Sequence, residues 1–205
     1  TFNFKKLTLK NPNGLMLDLG CGEGRHIFGA MEEFPDLQCI GLDPHIESLT
    51  KAFESLDFLE SISNKKTNFL SGSAYSLPFP DNSFDYVILS QTLQTVEKPK
   101  WILEQILRVG KKAIISFPNF GHWYCRYQIA LYGKMPITKE LKLPWYDTKN
   151  IHFCTIRDFC ELIEDMNFIT EKKFGINKSK AIINYPLNKF FLNFLASHAV
   201  FLISS

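Results

Sequence analysis

The 205-residue sequence has little that would suit a metal centre, a disulfide-stapled scaffold or a membrane protein. Its five cysteines, Cys21, Cys39, Cys125, Cys154 and Cys160, form no C-x-x-C pair, and neither they nor the five histidines stand at metal-ligand spacing. No metal site is expected, and the cysteines read as free thiols in a reducing compartment. No charge of one sign dominates either. Lys and Arg number 23 against 21 Asp and Glu, a net charge of +2 with no basic stripe, so a nucleic-acid partner is not expected. The most apolar stretch, Phe190 to Ile203, is interrupted by Asn193, Ser197 and His198, and no segment reads as a signal. A cytoplasmic protein without a membrane partner is therefore expected. Internal repeats and low-complexity tracts are absent, and because the chain opens on Thr1 rather than methionine, a trimmed start is expected.

What is present suits one α/β domain over residues 1–205. Hydrophobic residues make up 45% of the chain, 19 of them Phe, enough for a sizeable core. Short apolar runs alternate with longer segments of helical period, the pattern of a mainly parallel sheet covered on both faces by helices. Strands are expected at Leu15–Leu19, Cys39–Leu42, Thr67–Leu70, Phe84–Leu89, Lys112–Phe117, Phe168–Phe174 and Ala199–Ile203. Helices are expected at Arg25–Phe34, Ile46–Leu59 and Pro99–Arg108. A further helix runs to Met166 from a capping box of Thr155 and Asp158, in which Asp replaces the usual Glu. Between Asn119 and Asn150 the periodicity breaks up among aromatics, Gly133, Pro136 and Pro144. This segment reads as an aromatic-rich insertion capping one end of the sheet.

The chemistry concentrates after the first strand, in Asp18-Leu19-Gly20-Cys21-Gly22-Glu23-Gly24. Glycine at alternate positions allows positive φ and close approach of a ligand to the backbone, while amides at the start of the next helix face that ligand. The dinucleotide fingerprint G-x-G-x-x-G would need glycine at position 25, where Arg25 stands, so a nicotinamide cofactor is disfavoured. An acid two residues before the first glycine suits a ligand with a cationic amino group better than a pyrophosphate. Asp43, followed by Pro44, ends the second strand where a carboxylate would accept ribose hydroxyls.

D-x-G-x-G-x-G resembles the first motif of the class I S-adenosylmethionine (SAM)-dependent methyltransferases. Gly72-Ser73-Ala74 and the following Leu77–Asp85 stretch resemble that family's adenine-contacting segment, with Ser73 where the family usually has Asp. Ser90 and Gln91 stand where it contacts the methionine part of SAM. The resemblance implies a three-layer α/β sandwich around a mainly parallel seven-stranded sheet. It implies SAM, or S-adenosylhomocysteine, held by Asp18, Gly20, Cys21, Gly22, Gly24, Asp43, Pro44, Ser73, Ala74, Ser90 and Gln91.

From Tyr86 onward the chain is similar to a narrower family, MetW. The likeness rests on Val87-Ile88-Leu89-Ser90-Gln91-Thr92-Leu93-Gln94, Arg108-Val109-Gly110, Ser116-Phe117-Pro118-Asn119-Phe120-Gly121-His122-Trp123, Pro144-Trp145-Tyr146-Asp147-Thr148 with Asn150-Ile151-His152, and Cys154-Thr155-Ile156-Arg157-Asp158-Phe159. It implies a bacterial protein of methionine biosynthesis acting with homoserine O-acyltransferase, a separate enzyme. The alternative is a SAM-dependent methyltransferase of a small molecule. Methyl transfer needs a nucleophile held in line and only sometimes a base, so the lack of a triad leaves the enzyme question open. His122 and His152 are the candidate bases, beside Arg126, Tyr146 and Asp147. Against them stands a second reading, in which His152 fixes the turn before Thr155 and His122 is packed among aromatics. No Asn-Pro-Pro-Tyr follows the fourth strand, which argues against methylation of base or protein amide nitrogens.

Overall fold

The computed structural model describes residues 4–7, 9, 11, 13–60, 67–138, 141–177, 182–184 and 189–205. Its strands are β1 (Leu15–Leu19), β2 (Gln38–Asp43), β3 (Thr67–Ser71), β4 (Tyr86–Ser90), β5 (Lys112–Pro118), β6 (Ile169–Ile176), β7 (Ile182–Asn184) and β8 (His198–Ser204). Helices are α1 (Arg25–Glu33), α2 (Ile46–Glu60), α3 (Pro99–Val109), α4 (Trp123–Tyr132), α5 (Ile156–Asp165) and α6 (Lys189–Leu195). The sheet order is β3-β2-β1-β4-β5-β8-β6-β7. Seven of these strands form the expected mixed, largely parallel sheet, and the three-residue β7 extends it beside β6. The chain clusters into two compact units, one of Thr1–Ser90 with Lys100–Ile114 and the other of Gln91–Pro99 with Ile115–Ser205.

In the first unit β1 lies between β2 and β4, all parallel, with Leu17 opposite Ile40 on one side and Val87 on the other. Residues buried on both faces give these strands near-continuous apolar sequences rather than alternation, and Met16, Leu17, Leu19, Val87, Ile88 and Leu89 are all fully buried. On α3, Ile102, Leu103, Ile106, Leu107 and Val109 form the buried face at helical spacing. At its end Arg108 donates to the carbonyls of Leu77 and Phe79 (3.1 and 2.9 Å) and to Asp81 (2.9 Å). One guanidinium thus fastens the Leu77–Asp81 loop to the helix.

In the second unit β6 and β8 are antiparallel, with Phe174 opposite Val200. Its core centres on the rings of Phe117, Phe159 and Phe201, with centroids 4.7–5.9 Å apart. The expected capping box is present. Asp158 N donates to Thr155 Oγ1 (3.2 Å), and Thr155 N donates to Asp158 Oδ2 (2.8 Å). Three elements went unread in the sequence, α4, β7 and α6. Ten residues of the 119–150 insertion therefore form a regular helix, α4, but one that buries only Cys125, so no apolar stripe announces it. Its ends are set locally, by His122 at the N-cap and by Gly133, left-handed at φ 59°, at the C-cap.

Asn119 ties this unit together. Fully buried, it donates through Nδ2 to the carbonyls of Asn193 and Ala196, both at 2.8 Å, and accepts through Oδ1 from the amides of Gly121 (2.9 Å) and Ile156 (3.2 Å). One amide side chain thereby joins the end of β5, the start of α5 and the end of α6. Asn119→Ala would strand several buried backbone groups, each costing about 1–3 kcal/mol, so a loss of about 3 kcal/mol or more is expected in urea denaturation. A loss below about 1 kcal/mol would contradict this role.

Candidate functional site

The first unit brings the carboxyl ends of four parallel strands to one edge, in register with Leu19 opposite Leu42 and Leu89, and Asp43 opposite Ser71. Asp18, Gly20, Cys21, Gly22, Gly24, Asp43, Pro44, Ser73, Ala74 and Ser90 all lie at or just beyond those ends. Ligands of open α/β sheets bind at that edge.

The turn from β1 into α1 needs its glycines. Gly20, Gly22 and Gly24 have φ of 75°, 54° and 79°, the left-handed region that other residues enter at a cost. Gly20 N donates to Leu42 O (2.7 Å), which anchors the turn on β2. A Cβ at Gly22 would meet nothing within 4 Å, so this glycine serves backbone conformation and faces open space. Gly41, in the middle of β2, escaped the sequence reading. A Cβ there would collide with Phe69, Cys21 Sγ and Ile27, so the bare backbone at 41 admits the side chains packed under the loop. A lone glycine in a strand was the available signal.

Asp43 holds the loop from the neighbouring strand. Its Oδ2 accepts from Gly22 N and its Oδ1 from His45 N, both at 2.8 Å. Each carboxylate oxygen keeps a second lone pair for a further donor. Asp18 differs. It is 1% exposed, and neither carboxylate oxygen has a hydrogen-bond partner among the described residues. Burial drives its pKa up to about 7, the charge of Asp43 adds to the rise, and the Arg25 guanidinium opposes it. Burial, with the charges of Asp18 and Asp43, likewise keeps the Cys21 thiol protonated, which removes it as a nucleophile at neutral pH. His26, in the first turn of α1, is lowered to about 3 by burial and by Arg25 and is therefore neutral.

Beyond β3, Ser73 is exposed and its Oγ accepts from Tyr75 N (3.2 Å), closing a short turn that carries Ala74. Ser90 ends β4. Gln91 belongs to the second unit, where it adopts φ 57° and donates from its amide to Ser116 O (2.8 Å). The two histidine candidates are also there. His122 is buried, and its Nδ1 accepts from Tyr124 N (3.2 Å) as the cap of α4. His152 is exposed, and its amide donates to Gln94 O (3.1 Å). Among the described residues no cluster of His, Cys, Asp and Glu could hold a metal, and no helix is long and apolar enough to cross a membrane.

Solved structures share this architecture. A SAM-dependent methyltransferase from Thermotoga maritima, described as a possible histamine N-methyltransferase, matches with a TM-score of 0.67 at 17% identity, over 98% of this chain and 86% of that one. The small RNA methyltransferase HEN1 matches with a TM-score of 0.72 at 17% identity, over 97% of this chain and 24% of that one. The fold is that of the class I SAM-dependent methyltransferases. A family model described as methionine biosynthesis protein MetW matches residues 5–203. The chain belongs to the MetW family. The bifunctional methionine biosynthesis protein MetXA/MetW of Rhodopirellula baltica is 32% identical over 168 residues, 77% of this chain and 25% of that protein. An uncharacterised methyltransferase of Schizosaccharomyces pombe is 40% identical over 99 residues, 47% of this chain and 36% of that protein. The chain thus spans about a quarter to a third of the length of these two relatives.

The state of Asp18 is open to test. Its folded pKa of about 7 lies above the ordinary 3.8. Its contribution to stability is therefore fully present only below about pH 4 and is lost as pH rises through about 7. Between pH 4 and pH 8 the free protein should lose up to about 4 kcal/mol that Asp18→Asn does not lose. Parallel pH profiles of denaturant stability for the two proteins would refute the assignment.

Proposed function

We propose that this chain binds SAM, or S-adenosylhomocysteine, at the β1–α1 turn and works in methionine biosynthesis with homoserine O-acyltransferase. The observation that carries the ligand is Asp18, a buried carboxylate with no hydrogen-bond partner among the described residues, beside a glycine turn that opens onto free space at Gly22. An anion so placed calls for a cation, and SAM carries an ammonium group. Ionised Asp18 would receive the ammonium. Asp43 would take the ribose hydroxyls on its remaining lone pairs, with Pro44 beside it. Gly20, Cys21, Gly22 and Gly24 would line the turn with backbone. Ser73 and Ala74 would meet the adenine, and Ser90 the methionine portion. Bound SAM supplies a methyl group activated by its sulfonium.

The partnership is supported by the Rhodopirellula relative, whose name joins MetXA and MetW in one bifunctional protein. The aromatic surface of the 119–150 segment supports it as well. Trp123, Tyr127, Tyr132, Trp145 and Tyr146 are all exposed, an unusual concentration for a surface that meets only water. In this reading SAM is an effector, coupling the product end of the pathway to an earlier acyl transfer. The second reading, a methyltransferase of a small molecule, is favoured by the methyltransferase relatives and by the fold.

Calorimetric titration is expected to show SAM binding and no NAD binding. Asp18→Asn should weaken SAM by about tenfold or more, the scale of a lost charge-assisted contact. Absence of SAM binding would end both readings. For the partnership, the chain should co-elute with homoserine O-acyltransferase and alter its rate in a SAM-dependent way. Failure of both, with labelled methyl appearing in a small-molecule product, would leave the methyltransferase reading standing.

A further inference from the structure

A surface helix ordinarily turns an apolar stripe towards the core and a polar face to water. α4 does the reverse. It buries only Cys125, and at 100° per residue Trp123, Tyr127, Ala130 and Leu131 fall on the side away from that cysteine. Trp123, Tyr127 and Leu131 are 43%, 42% and 65% exposed, and Ala130 is exposed with them.

The patch is continuous. Trp123 meets Tyr124 edge-on with ring centroids 5.5 Å apart, Tyr124 stacks on Tyr127 at 6.3 Å, and Tyr127 meets Tyr132 edge-on at 5.8 Å. With Ala130 and Leu131 these rings expose about 600 Å², so two copies together supply the roughly 1,200 Å² at which stable association begins. Charge is nearly absent. Arg126 is the only charged residue of α4, and its Nε is held by Gly121 O at 2.7 Å. A helix lying on a membrane surface would carry a row of Lys and Arg instead. Gln128 is turned back to Ile137, exchanging hydrogen bonds of 3.3 and 3.0 Å with its backbone.

We propose that α4 is the two-fold interface of a homodimer, packed antiparallel against α4 of a second copy with Tyr127 at the axis. The outward stripe is self-complementary, as such an interface requires. Trp123 and Leu131 stand four residues to either side of Tyr127. Trp123 therefore falls opposite the partner's Leu131, and Leu131 opposite the partner's Trp123, a large ring against an aliphatic chain at each end. Tyr127 meets the partner's Tyr127, and aromatic residues of this kind anchor interfaces well. Such a dimer covers Trp123, Tyr127 and Tyr132, leaving Trp145 and Tyr146, whose rings meet each other at 5.7 Å, for the acyltransferase. The interface is built from second-unit residues alone and stands whether or not SAM binds the first.

Sedimentation velocity of the full chain should show a dimer with a dissociation constant of about 10 μM or tighter. Tyr127→Glu and Tyr127→Arg each set like charges against each other at the axis and should each weaken the dimer by about a hundredfold or more. Their equimolar mixture should dimerise again, because opposite charges then meet at one position. Only pairing of residue 127 with its own copy gives that rescue. Leu131→Glu, at a more exposed position, should also dissociate the dimer and decides the matter if a Tyr127 variant fails to fold. A chain still monomeric at about 100 μM, a dimer that Tyr127→Glu and Leu131→Glu leave intact, or a mixture that stays monomeric would each overturn the proposal. A monomeric chain from which Tyr127→Glu removes acyltransferase co-elution, or flotation on phosphatidylserine vesicles, would give this face to that enzyme or to a membrane instead.

Discussion

At the end of β1 the chain must reverse into α1 within five residues while a carboxylate stays buried beneath the turn. Both demands fall on the same short segment. Left-handed backbone at Gly20, Gly22 and Gly24 makes the reversal, and Asp43 on the neighbouring strand pins it through Gly22 N. Asp18 is then enclosed with no hydrogen-bond donor among the described residues. That uncompensated carboxylate is the cost of the arrangement in the free protein, and a cationic ligand would offset it. Strain or incomplete satisfaction held at a functional position is a familiar compromise between stability and binding.

The second unit solves a different problem. It has an irregular aromatic stretch and short helices to hold in place, and it does so with polar side chains used as ties. Asn119 engages four backbone groups, and the Gln94 side chain donates through Nε2 to Gln91 O. These residues sit inside the sequence strings that resemble MetW. At these positions the likeness coincides with residues that wire this unit together. His122, singled out as a candidate base, has its Nδ1 engaged as the cap of α4, a use that needs no chemistry beyond accepting a hydrogen bond.

Most elements of the sheet were legible because they combine strand-length apolar runs with turn residues between them. β1, β3 and β5 lie within a residue or so of where the pattern puts them. The helices with one apolar face, α3 and α5, were equally clear, and the Thr155–Asp158 box announced the start of α5. The missed elements share a physical cause. α4 exposes most of its aromatics and buries only Cys125, so periodicity carries no signal. At three and seven residues, β7 and α6 are too short for a pattern to build up. In the site, alternate glycines and two acids could be read directly. That Asp43 is already bonded to two amides while Asp18 is bonded to none among the described residues depends on tertiary geometry, which no spacing reveals.

If Asp18 receives a cationic ligand, it must ionise to do so, and binding must release its proton. Calorimetric titration of SAM in buffers of different ionisation enthalpy counts that proton directly. With the free pKa at about 7, release at pH 6 should approach one proton per SAM and fall towards zero by about pH 8.5. Binding without proton release across that range would contradict the account.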